Sequence, residues 1–222
     1  SYITESIRNN MHISGNGPFA RKCQKYFEDT YGFPKTLLTT SCTDALEMAA
    51  ILLDIGNEDE VIVPSYTFVS TANAFALRGA KLRFADSTAG HPNVDPQSIE
   101  ALINDSTKAI VVVHYAGNSC DMISIMNISE KYNIPVIEDA AQAFDSYHLN
   151  NSNRTPLGTY GTLATFSFHE TKNIVCGEGG LLVINDIDLI RRAEVIWEKG
   201  TDRSAFFKGE VDKYGWVDLG SS

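Results

Sequence analysis

KAIVVVH, from Lys108 to His114, is an unbroken apolar run closed by a histidine. A half-exposed strand would alternate apolar and polar residues, and an amphipathic helix would space its apolar residues by three and four. Three consecutive valines instead fit a strand covered on both faces, as in a parallel sheet. IPVIED, from Ile134 to Asp139, repeats the pattern. Working outward, Glu60 to Tyr66, Lys81 to Asp86, Leu163 to His169 and Gly180 to Asn185 also read as strands. Helical spacing fills the intervals between them. Leu46, Ala49, Ala50 and Leu53 share a face in Thr43 to Asp54, and Ile190, Ala193, Ile196 and Trp197 share one in Asp188 to Lys199. Phe68 to Leu77 and Asp121 to Tyr132 read as helices too. This alternation predicts an α/β fold with a mostly parallel sheet, right-handed crossovers and ligands bound beyond the carboxyl ends of the strands. The Asn-rich stretch from His148 to Gly158 reads as an exposed loop or hairpin. The segment from Lys199 to Ser222 reads as irregular and looks cut short.

Composition narrows the function. The 222 residues are 43% hydrophobic and 21% charged, which suits one large soluble domain. A net charge of −10 argues against nucleic acid or an anionic membrane as partner. Any anionic ligand must therefore be held by local donors. The first residues, SYITESIRNN, carry no apolar signal core, and no apolar run approaches membrane-spanning length. The four cysteines form no CxxC pair, which reads as reduced cytosolic thiols. The five histidines are scattered without an HxxxH pair, so no metal site is expected.

The chemistry lies at the strand ends. Lys172 follows the strand run FSFH within a few residues and precedes the glycine-rich GEGG. Most lysines are surface residues, but one beside a buried strand end is a candidate for Schiff-base chemistry with a carbonyl. Asp139 closes IPVIED and reads either as a cap for the next segment or as a fixed counter-charge for a buried cation. Ser41 and Thr43 open a helix. They read as capping residues, or as part of a helix start whose free N–H groups hold a phosphate. Asp44 suits the helix dipole, with its carboxylate turned away from such a phosphate. Phe68 reads as a core aromatic or as a platform for a ligand ring. Together an amine, a carboxylate, a helix N-terminus and an aromatic ring form the set that pyridoxal phosphate needs.

The segments TSCTDALEMA, VPSYTFVSTANAF, VIEDAAQAF and FSFHETKN with GEGG resemble the DegT-type sugar aminotransferases, in order from Gly15 to Ser222. These are pyridoxal 5'-phosphate enzymes of the three-layer aspartate aminotransferase (type I) fold. The resemblance implies that residues 1–222 form the cofactor-binding large domain, and that a smaller C-terminal domain follows in family members. It implies Lys172 as the cofactor-anchoring lysine and catalytic residue. It also implies Ser167, Thr43 and the Asp44 N–H as phosphate ligands, Asp139 at the pyridine nitrogen, Gln142 near the ring hydroxyl and Phe68 stacked on the ring. Many relatives carry an asparagine near the end of this chain that reaches the neighbouring subunit's cofactor; here the segment reads DLGSS, with Ser222 at that place. His169 reads as a residue positioning substrate or lysine, or equally as packing, and His114 as a non-catalytic residue behind the site.

The implied activity is amino transfer from glutamate to a nucleotide-linked keto-sugar by a cytoplasmic homodimer. The density of the match in SCT, SYTFVSTANAF and FSFHETKN points within the family to dTDP-4-keto-6-deoxyglucose as acceptor. A non-catalytic binding or regulatory member of the fold, or an aminotransferase for another keto-sugar, stays open as an alternative. A sugar dehydratase of the same fold carries a histidine in place of the lysine, so Lys172 speaks against it.

Overall fold

The computed structural model describes residues 2–9, 15–150 and 153–221. Its strands are β1 (Lys35–Thr39), β2 (Glu60–Pro64), β3 (Lys81–Ala85), β4 (Thr107–Val113), β5 (Val136–Asp139), β6 (Tyr147–Asn150), β7 (Asn153–Pro156), β8 (Leu163–Ser167) and β9 (Gly180–Ile184). The helices are α1 (Tyr2–Asn9), α2 (Pro18–Tyr31), α3 (Cys42–Leu52), α4 (Val69–Ala76), α5 (Pro96–Leu102), α6 (Met122–Tyr132), α7 (Ile190–Trp197) and α8 (Arg203–Phe207). Among the described residues one seven-stranded sheet has the order β1-β9-β8-β5-β4-β2-β3. The pairs β2·β3, β2·β4, β4·β5 and β5·β8 are parallel, whereas β9 runs antiparallel to both β8 and β1.

The two faces of the sheet carry separate cores. On one face Val61, Val63, Ala109, Val111, Ile137 and Leu182 pack against α3, α4 and α7. On the other, Ile62, Ile110, Val112 and Val136 meet α5 and α6, and an aromatic cluster of Phe27, Phe144, Phe166 and Phe168 packs under α2. Consecutive residues thus serve opposite faces. That is why the valine run is fully apolar rather than alternating. Helix α3 is buried on nearly every side, and its Ala45, Ala49 and Ala50 let it lie close to the sheet. Its start is fixed by Gly180. A Cβ there would lie 2.3 Å from the carbonyl carbon of Ser41. Glycine therefore lets the first peptide of α3 sit directly on the start of β9.

The predicted strands and helices are present, with ends that differ by a residue or two: most are shorter, while β4 and α3 each begin one residue earlier. His169 lies beyond β8 and forms an isolated bridge with Gly177. The Asn-rich stretch is the antiparallel hairpin β6·β7; its residues 151–152 lie outside the described residues. The tail differs from expectation. It holds α8 and a Thr201–Trp216 bridge, and the Ser221 N–H donates to the Ile196 carbonyl at 2.9 Å. Arg192 ties it down, pairing with Asp218 at 2.8 Å and Asp54 at 2.7 Å and donating to the Leu52 carbonyl at 3.1 Å. This guanidinium holds the Asp218 carboxyl below its usual range. Among the described residues no helix is long and apolar enough to cross a membrane.

Candidate active site

The carboxyl ends of β2, β4, β5 and β8 are neighbours along one edge of the sheet. β1 runs alongside them in the same sense, since Thr39 and Ser167 both pair with Gly180. The topology therefore brings the segments bearing Phe68, Asp139, Gln142, Ser167, Lys172 and the start of α3 to one edge.

Asp139 is 4% exposed. Its Oδ2 accepts from the Thr71 hydroxyl at 2.6 Å, and its Oδ1 from the Ala141 N–H at 3.1 Å. The second bond is the local turn cap expected of this residue; the first comes from α4. Burial pushes the carboxyl up from its usual range. The Thr71 and Ala141 donors oppose this, followed by the charges of Lys172 and His114.

At the start of α3, Ser41 is the N-cap and accepts the Asp44 N–H at 3.0 Å. The Asp44 N–H is thus already engaged, while the Cys42 and Thr43 N–H groups have no acceptor among the described residues. The Asp44 carboxylate is turned aside. It accepts from the Thr40 hydroxyl at 3.2 Å and the Ser221 hydroxyl at 2.7 Å. Thr43 donates to the Ser70 hydroxyl at 2.8 Å, which joins α3 to α4. Ser222 lies outside the described residues.

Gln142 accepts the Ala116 N–H at 2.7 Å through Oε1. An N–H can only donate, so the amide oxygen must face Ala116 and the Nε2 donors are left for a ligand. Ala116 holds a left-handed φ of 52°, a strained state for a residue with a Cβ. Phe68 is 70% exposed, so it is no core aromatic and its ring is open to a ligand. Lys172 sits half-buried on a turn closed by hydrogen bonds from Glu170 to Gly177 and from Cys176 to Phe168. Asn173 anchors that turn to the Phe144 carbonyl at 2.9 Å. The ammonium makes no hydrogen bond or ion pair among the described residues. Ser167 is buried at the end of β8, where its oxygen accepts the His169 N–H at 3.3 Å.

His169 bonds Thr171 at 2.9 Å and lies 3.6 Å from Glu178, which orients it within the lysine turn. His114 is fully buried. Its Nδ1 accepts the Cys120 N–H at 3.2 Å, so a proton on Nε2 faces Glu138 at 2.8 Å. Glu138 itself takes the Gly158, Tyr160 and Gly161 N–H groups at 2.8, 2.7 and 2.6 Å. It escaped the sequence reading, although a charged residue inside an apolar strand run is a signal that a buried network needs it. Thr71 and Ser70 offered no comparable signal, because hydroxyls on a short helix are common. A cleft of about 580 Å³ lies across the sheet between α5 and α6, away from these residues; its Asp95 and Asp121 cap helices and its Glu100 pairs with Lys131.

This donor set fits pyridoxal phosphate. The unengaged N–H groups of α3 and the Ser167 hydroxyl suit a phosphate, and the Thr43 hydroxyl would join them by turning its one hydrogen away from Ser70. The buried Asp139 carboxylate suits a protonated ring nitrogen, the Gln142 amide a ring oxygen, and the Lys172 amine an aldehyde.

The sequence profile of the DegT/DnrJ/EryC1/StrS aminotransferase family matches residues 1–220. Over 201 residues the chain is 37% identical to GDP-perosamine synthase of Caulobacter vibrioides, covering 90% of this chain and 53% of that protein. It is 35% identical over 204 residues to the spore coat polysaccharide biosynthesis protein SpsC of Bacillus subtilis, covering 92% and 51%. The pyridoxal phosphate form of the putative sugar aminotransferase Spr1654 from Streptococcus pneumoniae superposes with a TM-score of 0.84 at 25% identity, covering 98% of this chain and 58% of that one. The shared architecture is that of the type I pyridoxal phosphate aminotransferases. The chain spans about half the length of the curated relatives it matches.

Proposed function

This chain belongs to the DegT/DnrJ/EryC1/StrS aminotransferase family, whose members use pyridoxal phosphate, and we propose that it is the cofactor-binding large domain of a sugar nucleotide transaminase. Glutamate donates the amine and a nucleotide-linked keto-sugar accepts it. The observation that carries this reading is the meeting of Lys172, Asp139, Ser167 and the open N–H groups of α3 at one sheet edge. Pyridoxal 5'-phosphate supplies the aldehyde that takes the amine and the ring that draws off electrons. The protein's own residues do the rest. Lys172 Nζ anchors the cofactor and, once released, moves a proton to and from the substrate carbon. Asp139 holds a proton at the ring nitrogen, Gln142 Nε2 donates to the ring oxygen, and Phe68 covers a ring face. Thr43, Ser167 and the N–H groups of Cys42 and Thr43 bind the phosphate.

For the acceptor we propose dTDP-4-keto-6-deoxyglucose. Its support is the resemblance of the segments SCT, SYTFVSTANAF and FSFHETKN to the transaminase that makes dTDP-4-amino-4,6-dideoxygalactose for enterobacterial common antigen. A different keto-sugar is favoured by the similarity to a GDP-perosamine synthase. Cofactor-side residues do not choose between them, since a few hydrogen bonds select the sugar. Surface polysaccharide synthesis is the wider setting, supported by the name of the B. subtilis relative. Four free cysteines fit a reducing cytoplasm. A homodimer is supported by Phe207, Trp216 and Val217, which expose 70%, 79% and 58% of their surface.

The test is amine transfer by the full-length protein from glutamate to dTDP-, UDP- and GDP-linked 4-keto sugars and to a 3-keto isomer. Preference for the dTDP 4-keto sugar supports the specific acceptor, and preference for another sugar replaces it. Lys172→Ala is expected to abolish turnover and the absorbance of the lysine-bound cofactor. Transfer at the parent rate by that variant refutes the reading, and a monomeric mass in a fully active sample refutes the dimer.

A further inference from the structure

The Thr71 hydroxyl is fully buried and has one hydrogen to give. It donates that hydrogen to Asp139 Oδ2 at 2.6 Å. Its second contact, to the Thr67 hydroxyl at 2.7 Å, must then be one in which Thr67 donates. A directed chain runs from half-buried Thr67, before α4, through Thr71 to the Asp139 carboxylate. Thr71 is the one side chain among the described residues that hydrogen-bonds this carboxylate. The other titratable groups that act on it electrostatically are the Cys42 thiol of α3, Lys172 on the turn after β8, and His114 after β4, whose ring is turned to Glu138. Cys42 repels the carboxylate when ionised, and burial raises its thiol far above the usual range, so it stays neutral. Lys172 is half-buried on its turn, so its charge is a weaker anchor than a direct bond.

We propose that Thr71, oriented by Thr67, is a positioning residue that keeps Asp139 ionised and fixes Oδ2. The proposal rests on the functional reading only in giving Asp139 the ring nitrogen as partner. A buried carboxylate without its donor takes up a proton at higher pH, and a neutral acid cannot hold a cationic ring nitrogen. The chain also strengthens the bond to Asp139, because each hydroxyl polarises the next.

The experiment compares Thr71→Val, which keeps the shape and removes the hydroxyl, with Thr71→Ser and Thr67→Val in the full-length protein. The cofactor-free protein is unfolded by denaturant across a pH series, and pyridoxal phosphate is titrated by absorbance. Thr71 stabilises the charged form of Asp139, so its loss moves the carboxyl pKa further up. The stability deficit of Thr71→Val is therefore full above both pKa values and vanishes as pH falls below them. Affinity for pyridoxal phosphate at neutral pH falls on the order of 10-fold, as expected for losing a bond to a charged group. Thr71→Ser restores both properties, and Thr67→Val gives a smaller effect of the same sign. A deficit independent of pH, with unchanged affinity, overturns the proposal and leaves the functional reading standing. If the parent protein fails to bind pyridoxal phosphate, the functional reading falls, and the pH series still decides what Thr71 does. If Thr71→Val does not fold, the pH series of Thr67→Val decides in the same way.

Discussion

Replacing Glu138 with Gln changes one oxygen into an NH2 group at a site where every neighbour donates. Oε1 accepts from Tyr160 and Gly161, and Oε2 accepts from Gly158 and His114. Whichever way the new amide turns, its NH2 faces two donors. The His114 ring cannot rescue one side by moving its proton, because Nδ1 already accepts the Cys120 N–H. Two bonds to a charged acceptor are lost, at about 1.5–3 kcal/mol each, and no water reaches a side chain with zero exposure. The expected loss is about 3–6 kcal/mol, a large part of the ~5–15 kcal/mol that holds a domain folded. At roughly 2–4 °C per kcal/mol for a chain of this size, the melting temperature falls by about 10 °C or more. Denaturant and thermal unfolding of the full-length protein, parent against variant, measure this directly. Glu100→Gln serves as control, since Glu100 pairs with Lys131 on the surface and its change should matter little. A loss below about 1 kcal/mol in Glu138→Gln would refute the argument that the carboxylate organises the Gly158–Gly161 turn.

Two further outcomes follow from the site. Asp139→Asn keeps the shape and removes the charge; turnover should fall on the order of 100-fold or more with cofactor still bound, and undiminished turnover would return Asp139 to the role of a turn cap. Gly180→Ala sets a Cβ 2.3 Å from the Ser41 carbonyl carbon, which is backbone and cannot swing aside. We expect about 1–3 kcal/mol of lost stability together with weaker pyridoxal phosphate binding, because α3 must lift; parent-like affinity in a stable variant would separate α3 from phosphate binding.

The sheet is legible in the sequence because its strands are buried on both faces, and a continuous apolar run such as Val111 to Val113 suits little besides a strand covered on both sides. β1 is not legible in the same way. KTLLT is short, and its strand character comes from pairing with Gly180–Ile184, far along the chain. Helix α2 is hidden because only Gln24 and Phe27 of its residues are buried, too few to show a periodic stripe. The tail reads as irregular because its order comes from backbone bonds and from Arg192, none of which has a sequence period.

The candidate site divides the same way. Local chemistry determined that Lys172, Asp139 and the start of α3 fall at strand ends, since strand termini are visible in the residues themselves. Residue type also determined which groups could serve an aldehyde, a ring nitrogen or a phosphate. Tertiary structure alone decided how the distant groups are occupied: the oxygen of Gln142 by Ala116, and a face of Asp139 by Thr71, whereas the Ser41 cap on the Asp44 N–H is local. It also decided that Phe68 is exposed and that Glu138 is an internal anchor. The physical reason is range. A cap or a strand run is set by residues a few positions apart, whereas a hydrogen bond between Thr71 and Asp139 exists only once β2 and β5 have taken their places in one sheet.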